Sequence, residues 1–122
     1  MARLSLKQRF DFDVLIEPED RLVYALLQYM ACDGHGDVGG CGVAEFDLLN
    51  LAEALDWAPG ATLRRLKRIA PEVNAVCVEH ENTVLFALAG AGQKEFDHLY
   101  KRRGFEGLPP NLPHVKPRFL RI

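Results

Sequence analysis

The chain holds a single serine, Ser5, and offers no hydrolase-like arrangement of serine and histidine. Its three cysteines are an odd number, so reduced thiols are expected rather than a disulfide framework. Cys41 sits in a glycine-rich loop beside acidic residues and lacks the cationic neighbours that make a reactive thiolate. Asp11 and Asp13 share one face of an alternating segment and are expected to face water, not to act as paired catalytic carboxylates. Catalysis has no credible centre, and an enzyme is not expected. No apolar run approaches the roughly 18 residues of a membrane span. The segment MARLSLKQRFDFD has no uninterrupted apolar centre of the kind a secretory signal carries, so the expected location is cytoplasmic.

What is present is enough for one domain with a real core: 122 residues, of which 48% are apolar. Four of the prolines fall at 109, 110, 113 and 117, which points to an extended tail. Net charge is −2, but residues 1–56 carry −7 and residues 57–122 carry +5. A molecule polarised in this way can turn a basic face to phosphate and its acidic half elsewhere.

Phe10, Phe12, Val14 and Ile16 alternate with Asp11 and Asp13 and predict a strand. Pro18, Glu19 and Asp20 suit a helix start, and a helix is expected to Ala31 with Leu22, Val23, Leu26, Leu27, Tyr29 and Met30 as its buried stripe. Residues 32–42, CDGHGDVGGCG, must turn. A short strand over Val43–Phe46 follows. Asp47 then caps a helix over Leu48–Leu55, buried through Leu48, Leu49, Ala52 and Leu55. The next helix starts at Pro59 and is stopped by Pro71. With Leu66 at the centre of its inner face, Thr62, Leu63, Ile69 and Ala70 lie within about 60°. Gly60, Ala61, Arg64 and Arg68 point outward, with Arg65 and Lys67 on the flanks. Runs over Asn74–Glu79 and Thr83–Ala89 form a hairpin with His80, Glu81 and Asn82 at its tip. A last helix over Gln93–Arg103 is closed by Gly104.

The order strand, helix, short strand, helix, turn, helix, hairpin, helix resembles the winged helix-turn-helix family, over residues 18–89. Its most specific part is Leu51–Ile69, LAEALDWAPGATLRRLKRI. Leu51, Ala52 and Leu55 match the supporting helix, Asp56 and Trp57 the turn, Pro59 the start of the second helix, and Leu66 and Ile69 its inner face. The resemblance implies an α+β fold with a three-helix core and a β-hairpin wing over residues 18–92. An N-terminal arm over 1–17 and a C-terminal helix with a Pro-rich tail over 93–122 would belong to the same unit. It also implies duplex DNA as partner and a role in transcription regulation, met through Ala58, Gly60, Ala61, Arg64, Arg65, Lys67 and Arg68. A major groove about 12 Å wide admits one helix, and small Gly60 and Ala61 permit close approach. Arg64 and Arg68 are the expected guanine readers or phosphate clamps, and Arg65 and Lys67 the backbone contacts. Thr62 occupies a place where the family usually packs an apolar residue, so Leu63 is expected to replace it inside. Lys101, Arg102 and Arg103 are auxiliary phosphate contacts.

The expected wing carries Glu79 and Glu81 and no lysine or arginine between Val73 and Ala89, which repels phosphate. A recognition helix working largely alone needs a dimer with two half-sites. The edge of the Phe10–Ile16 strand, or the last helix with its tail, would supply the homodimer contact. The small size fits a regulator encoded by a phage or mobile element. The other reading is a winged-helix module that docks on a replication, transcription or defence protein, with Leu108–Ile122 as a groove-binding peptide. Gly34–Gly39 satisfies G-x-G-x-x-G but follows a helix instead of a strand, so no nucleotide cofactor is expected. Cys32, His35 and Cys41 have ligand chemistry, but the loop supplies only three such groups and no metal is expected.

Overall fold

The computed structural model describes residues 15, 17–32 and 42–113. These form an α+β fold whose elements, in order, are α1 (Pro18–Cys32), β1 (Val43–Asp47), α2 (Leu48–Leu55), α3 (Pro59–Glu72), β2 (Val76–His80), β3 (Thr83–Ala87) and α4 (Gln93–Arg102). The strands make one antiparallel sheet in the order β1-β3-β2. Of the segment read as an N-terminal strand, only Leu15 is described; it is fully buried and lies in no strand, and the rest falls outside the described residues. No helix among the described residues is long and apolar enough to cross a membrane.

β3 is the organising strand because it is buried on both faces. Val84, Phe86 and Leu88 join the core with α1, α2 and α3, while Leu85 and Ala87 join Phe96, Leu99 and Tyr100 of α4. The period-two alternation of a strand sends these sets to opposite sides. The result is three layers: α1, α2 and α3, then the sheet, then α4. Glu81 and Asn82 alone form the hairpin tip, both with positive φ (48° and 69°). Such a two-residue turn matches the twist of the strands it joins. His80, placed at the tip by its sequence position, is instead the last residue of β2 and pairs with Thr83.

α1 buries a face rotated from the expected one. Val23, Tyr24, Leu27, Gln28 and Ala31 are buried, whereas Leu22 and Tyr29 are 53% and 43% exposed. The residues from Leu22 to Met30 are apolar nearly all the way round, so hydrophobicity alone leaves the phase open. Asp20 decides it: its carboxylate is buried against α3, and Tyr24, Leu27 and Ala31 follow it at helical spacing.

α2 begins where Asp47 accepts a hydrogen bond from the Asn50 amide at 3.0 Å. It buries Leu48, Leu51 and Ala52, while Leu49 is 47% exposed and drops out of the expected stripe. Asp56 ends the helix in the left-handed conformation, φ 58°, which aspartate tolerates better than most residues. Asp47→Ala should lower unfolding stability by about 1 kcal/mol, the usual worth of such a cap. A urea midpoint unmoved by the change would mean that the cap contributes nothing.

α3 continues through Pro71 to Glu72. Pro71 removes the amide that would bond the Lys67 carbonyl and crowds that carbonyl, yet the helix runs one residue past it. Left-handed Asn74, φ 56°, is what turns the chain, and the Ala75 amide reaches back to the Ala70 carbonyl at 2.8 Å. Thr62 is fully buried and its hydroxyl donates to the Ala58 carbonyl at 2.9 Å. That bond satisfies the polar group, so Leu63 has no need to replace it and stays half-buried. α4 closes at Gly104, φ 81°. Residues after it fold back: Phe105 stacks on Tyr100 at 4.8 Å, the Tyr100 hydroxyl donates to the Glu106 carbonyl, and the Leu112 amide donates to Gln93.

Candidate nucleic-acid interface

The residues singled out on α3 share one exposed surface. Ala58, Pro59, Gly60, Ala61, Arg64, Lys67 and Arg68 are exposed, and Thr62, Leu66, Ile69 and Ala70 are buried behind them. Arg65 lies between the two sets, half-buried. A Cβ at Gly60 would reach only ordinary contact with Arg64 Nη1, 3.5 Å away. The fold therefore does not require glycine there, and its effect is to leave the outer surface low at the start of the helix.

The four cations of α3 divide into two kinds. Arg65 and Arg68 converge on Asp20 of α1: Arg65 Nη1 donates at 2.6 Å, and Arg68 Nη2 lies 2.7 and 3.0 Å from the two carboxylate oxygens. The Asp20 side chain is only 3% exposed. By accepting this hydrogen bond it raises the pKa of the Arg68 guanidinium further above its usual value. Glu17 stands at the open side, 3.3 Å from Arg65 Nη1 and 3.7 Å from Arg68 Nη2. Arg65 also lies over the Trp57 ring, 4.9 Å from its centroid, a favourable cation and ring arrangement. Arg64 and Lys67 have no carboxylate partner among the described residues.

This division alters the roles read from the helical wheel. Arg68 does point to the surface, but Asp20 takes up part of its donor edge, so it is less open than Arg64 to a bidentate fork onto guanine. Arg64 is left as the α3 guanidinium able to present a whole fork.

The other expected contributors lie elsewhere. Glu79 accepts a hydrogen bond from the Asn82 amide at 2.9 Å, and Glu81 is exposed at the hairpin tip. Lys101 and Arg102 are exposed on α4, and Arg103 is ion-paired with Glu45. α4 packs on the sheet face opposite α3, so these cations do not extend the α3 surface. His35 and Cys41 fall outside the described residues, as does the Cys32 side chain. No group of three or more potential metal-binding side chains occurs among the described residues. The Cys77 thiol is pushed up to about 12 by burial, and it stays protonated at neutral pH.

Asp20, Glu17 and Trp57 were not singled out as interface residues by sequence. The signal that would have found Asp20 is its spacing to Tyr24, Leu27 and Ala31, which places a carboxylate on an apolar stripe. Compared with protein-family models, curated proteins and solved structures, the chain finds no match.

Proposed function

We propose that the protein is a winged helix-turn-helix DNA-binding regulator, with α2 and α3 as the helix-turn-helix and β2 and β3 as the wing. One observation carries the reading: α3 turns a continuous exposed face outward, low at Gly60 and Ala61 and cationic at Arg64, Lys67 and Arg68. A helix seated in the major groove needs small residues where it approaches most closely and donors one turn further on. Arg64 is then the base reader. Lys67 contacts backbone phosphate, and Asp20 holds Arg65 and Arg68 in place. The wing contributes little attraction, since its tip is acidic and no lysine or arginine lies between Val73 and Ala89. One helix reads only a few base pairs, so a homodimer on two half-sites is part of the proposal.

Fluorescence anisotropy with mixed-sequence duplex DNA between about 50 and 200 mM salt tests this. The native protein should bind at the low end and weaken steeply with salt. Arg64→Ala should weaken this binding severalfold, because it removes a cation from the face turned to the DNA. Absence of binding at low salt, or a variant that binds as the native protein does, removes the reading.

A specific observation favours the second reading, a module that docks on another protein. Leu22 and Tyr29, two turns apart on one side of α1, are 53% and 43% exposed. Leu22→Glu would abolish such docking and leave DNA binding unchanged.

A further inference from the structure

Two guanidiniums on α3 meet one exposed carboxylate oxygen, and the surroundings of that oxygen indicate what it stands in for. Arg65 Nη1 and Arg68 Nη2 approach Glu17 Oε2 at 3.3 and 3.7 Å. Beneath them both cations are gripped by Asp20 at 2.6 and 2.7 Å. The two acids are not equivalent. Asp20 is 3% exposed and makes short bonds, whereas Glu17 is 57% exposed and makes one long hydrogen bond and one longer ion pair.

Exposed pairs of this kind contribute little, since water competes for both partners. Glu17 also precedes α1 rather than lying within it, and its carbonyl accepts the Arg21 amide at 3.1 Å. Its side chain is thus able to swing away while the backbone bond that starts the helix persists.

We infer that Arg65 and Arg68 form the seat of one backbone phosphate of the bound duplex, and that Glu17 fills this seat in the free protein and is displaced from it by the phosphate. The inference rests on the DNA-binding reading above and adds the phosphate site and its internal competitor. Asp20 stays in place and orients both cations. A phosphodiester carries one negative charge, as the carboxylate does, and brings in addition the entropy of counterions released from the DNA. Glu17 therefore weakens binding without abolishing it, since its pair with the two cations must be broken first.

Glu17→Gln tests this against Glu19→Gln. Glu19 lies in the first turn of the same helix, is exposed, and makes no ion pair with α3 among the described residues. Both substitutions remove one negative charge from the same end of α1, so any general electrostatic gain appears in both. The local competitor appears only in Glu17→Gln. Binding of mixed-sequence duplex DNA should tighten about two- to fivefold in Glu17→Gln, the range that an exposed ion pair commands. The slope of log affinity against log salt should stay close to the native one, because the same phosphate is seated in the native complex. Glu19→Gln should leave the slope unchanged as well and tighten binding by clearly less than Glu17→Gln does. Equal effects of the two variants would overturn the inference while leaving DNA binding intact. No binding by the native protein at about 50 mM salt would overturn the DNA-binding reading and this site with it. Thermal melts of both variants check that neither has lost the fold.

Discussion

Leu66→Ala is expected to lower the free energy of unfolding by about 2–5 kcal/mol, the range for a leucine truncated in a packed core. Leu66 is fully buried in the cluster that α1, α2 and α3 share with the sheet. Its neighbours there include Leu27, Leu51, Ile69, Val84 and Phe86, all buried, and each belongs to an element fixed by other contacts as well. The cavity left by the missing carbons cannot close without moving a helix or the central strand, so the loss should fall in the upper half of the range. Arg64→Ala, on the opposite side of the same helix, should change stability by less than about 0.5 kcal/mol. Urea denaturation of the two variants measures the contrast. A loss below about 1 kcal/mol for Leu66→Ala would mean that α3 is not seated on this core.

The contrast within α3 was legible in sequence because the helix has one apolar stripe and polar residues elsewhere. Choosing Leu66 as centre placed Thr62, Ile69 and Ala70 correctly, and all three are buried. The start of α2 at Asp47 was legible for a local reason: it depends on one side chain and the adjacent backbone. α1 was harder. Its apolar residues surround the helix, and its phase is set by a partner on α3, 45 residues away in sequence at the Asp20–Arg65 bond. Leu22 and Tyr29 were assigned inside for want of that long-range information. The end of α3 was misplaced for another reason. Proline disfavours what precedes and opposes it in a helix, but here only Glu72 remains beyond it, so the helix ends one residue past Pro71.

Layering was less legible than the helices. β3 reads in sequence as a strand, but only its pairing with β1 and β2 makes it central and buries it on both faces. This arrangement changes what the hairpin can do. A wing that reaches into a groove needs an uncovered face, and here Val76, Val78, Leu85 and Ala87 lie under α4 and the residues that follow it. On the DNA-binding reading proposed above, the acidic tip leaves α3 to supply nearly all of the attraction to a polyanion. The ion pair of Arg103 with Glu45 adds to it, because that cation is turned toward β1 and is already neutralised.

The weight placed on α3 makes Asp20 the residue whose loss should be felt most after the core. Asp20→Ala is expected to cost roughly 2–4 kcal/mol of unfolding stability. A fully buried ion pair broken from one side costs about 3–5 kcal/mol, because the remaining charge is stranded. Here the stranded groups are Arg65 and Arg68, whose side chains are 27% and 46% exposed, and water recovers part of the loss. The carboxylate bridges two cations rather than one, and it also fixes the phase of α1, so the loss should not shrink to the level of a surface pair. Asp20→Asn keeps the size and one acceptor oxygen and should recover less than half of the stability. A double-mutant cycle makes the attribution specific. In a background of Arg65→Leu and Arg68→Leu, Asp20→Ala should cost at least about 1 kcal/mol less than in the native chain. If the cost is the same in both backgrounds, the ion pairs are not what Asp20 contributes, and α1 owes its orientation to apolar packing alone.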